Sequence, residues 1–256
     1  MTKLIDFSKF SSIKIGSIFE VLMISEIDKY SEYKIIGQAN NLLISPKPKK
    51  LAILSKEFNY IKRENNLLFV GASVSSGRLL SYAKRENLAN FEFLSKLPGS
   101  IGGLVKMNAG VKSYEIFNNL IAIKTYNGYI KKENIEYGYR FTNIEDIVYE
   151  VVFDLKSGYL NNLTKELIKL RQNQPKEPSA GSCFKNPKGD FAGRLIELVK
   201  LKGKVIGDAS FSDIHANFLV NLGSASFEDA NTLINLAKRR VYEEFGIELE
   251  QEIIIL

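Results

Sequence analysis

Gln174-Pro175-Lys176-Glu177-Pro178-Ser179-Ala180-Gly181-Ser182-Cys183-Phe184-Lys185-Asn186-Pro187 is the stretch that divides the chain. Proline fixes its own φ and pushes the preceding residue out of the helical region, so the two prolines at 175 and 178 impose extended backbone. Ahead of them, Leu163, Leu167, Ile168 and Leu170 recur at helical spacing and predict a helix from Asn161 to Arg171. Behind them, helix and strand alternate: Ala192 to Lys200, Lys204 to Asp208, Ala216 to Asn221, Phe227 to Phe245, and a strand from Ile247 to Leu256. The longest of these helices carries its own signals. Ser226 and Asp229 form an S-x-x-D cap, Leu233, Ile234, Ala237, Val241 and Phe245 make one apolar stripe, and Gly246 ends it. The chain is accordingly divided into residues 1–157 and 158–256.

Outward in the other direction, the first part reads as short strands separated by turns: Ile13 to Met23, Tyr33 to Ile36 and Leu67 to Val70. A helix from Arg78 to Glu86 follows, with Ser75 or Ser76 as its cap. Leu120 to Tyr126 and Tyr129 to Lys132 flank Asn127-Gly128 as a hairpin, and Ile147 to Leu155 is a further strand. Between them Pro98 to Gly110 is too rich in glycine for a regular element and too poor in charge for a linker.

Composition narrows the class. The 256 residues are 45% hydrophobic and 25% charged, values of a folded globular chain rather than a disordered or fibrous one. No apolar run approaches the roughly 18 residues of a membrane-spanning helix, and Met1 to Phe10 lacks a signal-peptide core, so a cytoplasmic location is expected. One cysteine, Cys183, excludes an internal disulfide; with a single histidine, His215, no metal site is expected. The net charge of +6 suits an anionic small molecule or a nucleic acid, but the basic residues are dispersed, which argues against nucleic acid.

Several clusters carry possible chemistry. Gly99-Ser100-Ile101-Gly102-Gly103 with Asn108-Ala109-Gly110 offers backbone N–H groups that a phosphate can approach without a Cβ intervening, although a tightly packed turn would look the same. Its spacing is neither G-x-G-x-x-G nor the P-loop pattern. Gly37-Gln38-Ala39-Asn40-Asn41 follows a short strand and could add donors, or be a turn. Tyr139-Arg140 could present a planar fork to an anion or enolate. Gly181 to Asn186 places a hydroxyl, a thiol, an ammonium and a carboxamide together, but it is not G-x-S-x-G, and Cys183 as a nucleophile is weaker than Cys183 as a packed side chain. Glu248, Glu250 and Glu252 alternate along the expected last strand, on one face. Such a face is usually solvated, yet Ile253 to Ile255 would bury Glu252 and raise its carboxyl pKa.

Taken in order, G-x-x-N-N-L-L (Gly37 to Leu43), L-P-G-S-I-G-G-x-V-x-M-N-A-G (Leu97 to Gly110), G-Y-R (Gly138 to Arg140), P-S-A-G-S-C-F-K-N-P (Pro178 to Pro187), A-G-x-L-I-E (Ala192 to Glu197), L-K-G (Leu201 to Gly203), H-A-N-F-L-V-N (His215 to Asn221) and L-E-Q-E-I (Leu249 to Ile253) resemble the UDP-N-acetylenolpyruvoylglucosamine reductase (MurB) family of peptidoglycan synthesis. The resemblance implies an α+β protein: a FAD-binding domain of the vanillyl-alcohol-oxidase, PCMH type, built of two α+β subdomains, then a smaller C-terminal α+β substrate-binding domain. It implies that NADPH reduces FAD and leaves, and that hydride passes from flavin N5 to C3 of UDP-N-acetylglucosamine enolpyruvate, giving UDP-N-acetylmuramate after protonation at C2. By position, Ser182 matches the proton donor, and Arg140 and Glu252 the pair that polarises the enolpyruvyl carboxylate. Gly37, Gln38, Ala39, Asn40, Asn41, Gly99, Ser100, Gly102, Gly103 and Asn108 match the flavin-holding segments. Tyr139, Lys185, Asn186 and His215 match residues around the substrate.

Three departures mark this chain. Ala39 and Asn40 stand where the family has G-S of G-x-G-S-N, Phe141-Thr142 follow Tyr139-Arg140 in place of an acidic residue and serine, and the chain has no room for the substrate-capping tyrosine insert of longer members. It resembles the shorter, type II form. The expected partner is a small molecule, with no nucleic acid and no membrane, and the expected state is a monomer. The alternatives are a FAD-dependent oxidase of the same fold acting on a sugar or alcohol, or a basic polyanion-binding protein without flavin.

Overall fold

The computed structural model describes residues 1–170 and 172–256; the expected end of the first long helix at Arg171 lies outside them. The chain packs as two compact units, each assembled from separate segments. The first comprises Met1–Lys3, Val21–Gln38 and Lys50–Gln172; the second comprises Leu4–Glu20, Ala39–Lys49 and Asn173–Leu256. The helix Asn161–Lys169, placed by the sequence after residue 157, packs in the first unit, where Leu167 is buried.

In the first unit, Val21–Ile24 of the strand Ile18–Ile24 and the strand Lys34–Ile35 both pair in parallel with Leu51–Leu54. A five-stranded antiparallel sheet runs in the order Gly128–Lys131, Leu120–Thr125, Glu150–Asp154, Leu67–Gly71, Ile61–Glu64. Its middle strand is buried along Glu150-Val151-Val152-Phe153, which is why that segment reads as a continuous apolar run. Its first residue, Glu150, is 7% exposed and accepts from the hydroxyls of Tyr60 and Tyr129, both at 2.5 Å. Gly71 is needed beneath this bridge, since a Cβ there would stand 2.1 Å from Phe58 O and 3.1 Å from the Tyr60 ring.

The hairpin at 120–131 forms as expected, but its turn is Tyr126-Asn127, because Thr125 pairs with Gly128, whose φ of 99° closes the loop. The strand expected over Ile13 to Met23 begins only at Ile18; Ile13 and Ile15 are buried in the core of the second unit instead. Ser75 proves to be the cap of the helix Ser76–Arg85.

Pro98 to Gly110 contains a regular element after all, the helix Ile101–Lys106. Two glycines in six residues disfavour a helix in isolation. Here the Ser100 hydroxyl caps the Gly103 N–H, the N–H groups of Ile101 and Gly102 bond Val74 O and Ala72 O, and a Cβ on Gly102 would stand 2.8 Å from Ala72 Cβ. Close packing replaces propensity.

The second unit has a four-stranded sheet, Ser179–Ser182, Phe218–Asn221, Ala209–Phe211, Val205–Ile206, all its pairings antiparallel. The helix Phe227–Phe245 packs on it with the predicted bounds and the predicted reciprocal Ser226–Asp229 cap, and Gly246 ends it at φ 66°. The long C-terminal strand does not form. Only Ile254–Ile255 pairs, in parallel, with Leu42–Leu43, and one further bridge joins Gln251 to Phe184.

Candidate active site

Each unit presents its own set of expected residues. In the first, the two glycine-bearing loops meet. Gly37 has φ 50°, and a Cβ on it would stand 2.8 Å from Ser100 Oγ. Gly99 has φ 142°. The N–H groups expected of Gly102 and Gly103 are used within the protein, by Ala72 O and Ser100 Oγ, so these glycines contribute close approach rather than free donors. Gln38 is exposed.

Asn108, expected against the flavin, is fully buried and its side chain is spent within the protein. Its amide nitrogen donates to Glu115 Oε2 at 2.8 Å and to Gly138 O at 3.0 Å, and its oxygen accepts from Phe117 N. Asn108 therefore braces the small hairpin Tyr137–Gly138 and Phe141–Thr142. Arg140 sits in its turn at φ 54°, a left-handed conformation that costs a non-glycine residue on the order of 1 kcal/mol and is retained where surroundings impose it. Its guanidinium donates to Gly110 O at 2.9 Å and lies 5.2 Å from the centre of the Tyr139 ring. Tyr139 itself is 50% exposed.

In the second unit, Ala39 takes φ 49°, so an alanine adopts the left-handed turn that a glycine makes without strain. The geometry is held by Ser12, whose N–H donates to Ala39 O and whose hydroxyl donates to Asn40 O at 3.1 Å. The Asn40 side-chain oxygen is buried without a protein partner. A buried amide end without a protein partner is one that a ligand can satisfy. It is the feature of this unit that fits a bound cofactor.

The segment after Asn41 and the segment around Ser182 are tied to the C-terminus. Asn41 Nδ2 donates to Glu252 O at 2.8 Å, and the Glu252 N–H donates to Cys183 O at 2.9 Å. Lys185 N–H donates to Glu250 O at 2.8 Å. Residues 250–252 thus run beside 183–185, which sets Glu252 against the residue that follows Ser182. The alternation of Glu248, Glu250 and Glu252 on one strand face is not realised. Glu250 turns outward and pairs with Lys185 Nζ at 2.6 Å, whereas Glu252 is half-buried beside buried Ile253.

Ser182 is half-buried at the end of its strand, opposite Phe218. Cys183 is 1% exposed, and burial pushes its thiol pKa well up, which disposes of it as a nucleophile. Asn186 Oδ1 accepts from Ala192 N at 3.1 Å, at the start of the helix Ala192–Leu198. His215 Nδ1 accepts from Asn217 N, which leaves its proton on Nε2, and desolvation holds its pKa below the ordinary value.

Two structural partners escaped sequence reading. Asn217 clamps the segment that follows Ser182: its backbone O accepts from Cys183 N at 2.7 Å, its Oδ1 from Phe184 N at 3.0 Å, and its Nδ2 donates to Phe184 O at 2.8 Å. Glu92 is 1% exposed and accepts from Leu160 N at 2.7 Å, at the start of the helix Asn161–Lys169. Asn217 lies between two apolar residues in His215-Ala216-Asn217-Phe218, and that isolation was its only signal.

Residues 173–256 match the model of the C-terminal domain of UDP-N-acetylenolpyruvoylglucosamine reductase. The chain is 54% identical to the UDP-N-acetylenolpyruvoylglucosamine reductase of Helicobacter hepaticus, covering 100% of this chain and 99% of that protein. It is 49% identical to that of Campylobacter jejuni, covering 99% and 100%. The crystal structure of UDP-N-acetylenolpyruvylglucosamine reductase (MurB) from Thermus caldophilus superposes with a TM-score of 0.87 at 31% identity, covering 100% of this chain and 98% of that one. The fold is the α+β one of that enzyme, a FAD-binding PCMH-type part with a C-terminal domain. With 54% identity over its whole length, the chain belongs to the UDP-N-acetylenolpyruvoylglucosamine reductase family.

Proposed function

We propose that this chain is a flavoenzyme of peptidoglycan synthesis that uses NADPH to reduce UDP-N-acetylglucosamine enolpyruvate to UDP-N-acetylmuramate. The observation that carries the assignment of roles is the bond from Glu252 N–H to Cys183 O, which puts a half-buried carboxyl beside the Ser182 strand. Gly37, Gln38, Ala39, Asn40 and Asn41 with Gly99, Ser100, Gly102 and Gly103 hold FAD, Asn40 through its unpartnered amide end. FAD, when bound, supplies the hydride carrier between NADPH and the substrate.

Hydride addition at C3 leaves negative charge at C2, delocalised into the neighbouring carboxylate as an enolate. Arg140, already fixed by Gly110 O, holds that charge, and a planar guanidinium suits a carboxylate. Ser182 then gives its hydroxyl proton to C2. A serine is a weak acid in water, but the carbanion is far more basic, and solvent returns the proton afterwards. Glu252 works on the same carboxylate with Arg140. Tyr139, Lys185, Asn186 and His215 hold the rest of the substrate, His215 as a neutral donor through Nε2. The division proposed for these tasks is flavin binding over 1–157 and substrate binding over 158–256. The reading places the enzyme in the cytoplasm as a monomer, where NADPH and sugar nucleotides are made.

Replacing Ser182 by alanine tests the roles. NADPH should still bleach the flavin absorbance at the parent rate, while reoxidation by the enolpyruvyl substrate falls at least a hundredfold. Reoxidation at the parent rate would remove Ser182 from the mechanism.

A further inference from the structure

The helix Ile101–Lys106 ends in a lysine whose ammonium is turned onto backbone rather than onto any carboxylate. Lys106 Nζ donates to Ile144 O, to Glu145 O at 3.1 Å and to Asp146 O at 3.3 Å. An ammonium has three N–H donors, and three successive carbonyls take them. Carbonyl dipoles that converge on one point repel each other unless a cation stands there. Removal of the ammonium from water lowers its pKa, with Asp146 and Glu145 opposing the shift and Lys34 adding to it.

The nest lies directly after the hairpin that carries Arg140. The same short stretch grips that hairpin at three more points. Lys106 O accepts from Thr142 Oγ1 at 2.7 Å, Asn108 Nδ2 donates to Gly138 O at 3.0 Å, and Gly110 O accepts from Arg140 Nη2 at 2.9 Å. Residues 106–110 therefore hold both strands of the turn and its exit. A strained, left-handed arginine keeps its place only where such restraints over-determine it.

We propose that Lys106 is a positioning residue, a tethered cation in a nest of three carbonyls that fixes the exit of the hairpin and thereby the aim of Arg140. The inference rests on the reading of Arg140 as the group that holds charge on the substrate. Small misplacements of such a group are costly, up to about a hundredfold for about 1 Å.

The test is Lys106→Ala in the FAD-loaded enzyme, read as two separate half-reactions by rapid-mixing absorbance. Bleaching by NADPH should be unchanged, and reoxidation by the enolpyruvyl substrate should slow by about tenfold. Ammonium chloride, whose ion fits the vacated nest, should restore most of that rate, whereas tetramethylammonium chloride at equal ionic strength should not. Hydrogen exchange of the amides at 138–146 should quicken in the variant and slow again with ammonium. Lys106→Met, which keeps the apolar stem, guards against a variant that does not fold: it should show the same slow step.

Unchanged reoxidation in both variants would overturn the proposal, as would a loss spread over both half-reactions that ammonium does not repair. Arg140→Ala separates the two levels. If it leaves reoxidation untouched, the reading of Arg140 is wrong and the proposal falls with it; if it slows reoxidation while Lys106→Ala does not, only the proposal fails.

Discussion

Ser100 Oγ stands 2.8 Å from the place a β-carbon on Gly37 would occupy. The hydroxyl also caps the helix Ile101–Lys106, so it cannot swing away without cost. Gly37→Ala should therefore fold but hold FAD more weakly, by about tenfold for each 1.4 kcal/mol of strain passed to the loop. Flavin retained on gel filtration at the parent ratio would contradict this.

Tyr60 and Tyr129 both donate to Glu150, and the second hydroxyl is pushed up to about 12 by desolvation and by that carboxylate. The bridge joins strand Glu150–Asp154 to the edge of its sheet at Gly128–Lys131. Tyr60→Phe should lower stability by about 1.5–3 kcal/mol, the range for a hydrogen bond to a charged group. Tyr129→Phe should cost less, because Tyr129 is 53% exposed. Denaturant midpoints check both, and FAD affinity should stay unchanged.

How much of this was legible in the sequence depends on where the cause lay. The helix Phe227–Phe245 carried its cap, stripe and stop in consecutive residues, and its bounds follow from them. The helix Ile101–Lys106 did not, because what makes two glycines acceptable there is the backbone of Ala72 and Val74, far earlier in the chain. The last strand failed for the opposite reason: alternation promised regularity, while Cys183, Lys185 and Asn41 drew the backbone of 250–252 into single bonds instead of a ladder. The proposed site residues were read from their motifs. The partners that hold them, Asn217 and Lys106, were not, since one buried asparagine or one lysine has no pattern of its own.

Cys183 is buried and its thiol pKa is raised, so it should resist alkylation in the folded enzyme. Iodoacetamide should label it only on unfolding, and Cys183→Ala should retain turnover. Rapid inactivation of the native enzyme by iodoacetamide would contradict the assignment.

His215 has a folded pKa below its unfolded value. A depressed histidine adds stability above the unfolded pKa of about 6.5, and that contribution is lost as pH falls toward the folded value, since the unfolded chain takes the proton more readily. The melting temperature should therefore drop on acidification below about pH 6.5. His215→Asn, whose Oδ1 can still accept from Asn217 N, should flatten that part of the curve. An unaltered slope would assign it to other groups.

The most direct test of the whole account is a visible spectrum of the FAD-supplemented protein, taken without oxygen, before NADPH, after NADPH, and after UDP-N-acetylglucosamine enolpyruvate. The yellow band should bleach with NADPH and return with the enolpyruvyl compound, in proportion to UDP-N-acetylmuramate formed. A band that bleaches and does not return would contradict the assigned substrate, and no flavin band at all would contradict the assignment of FAD.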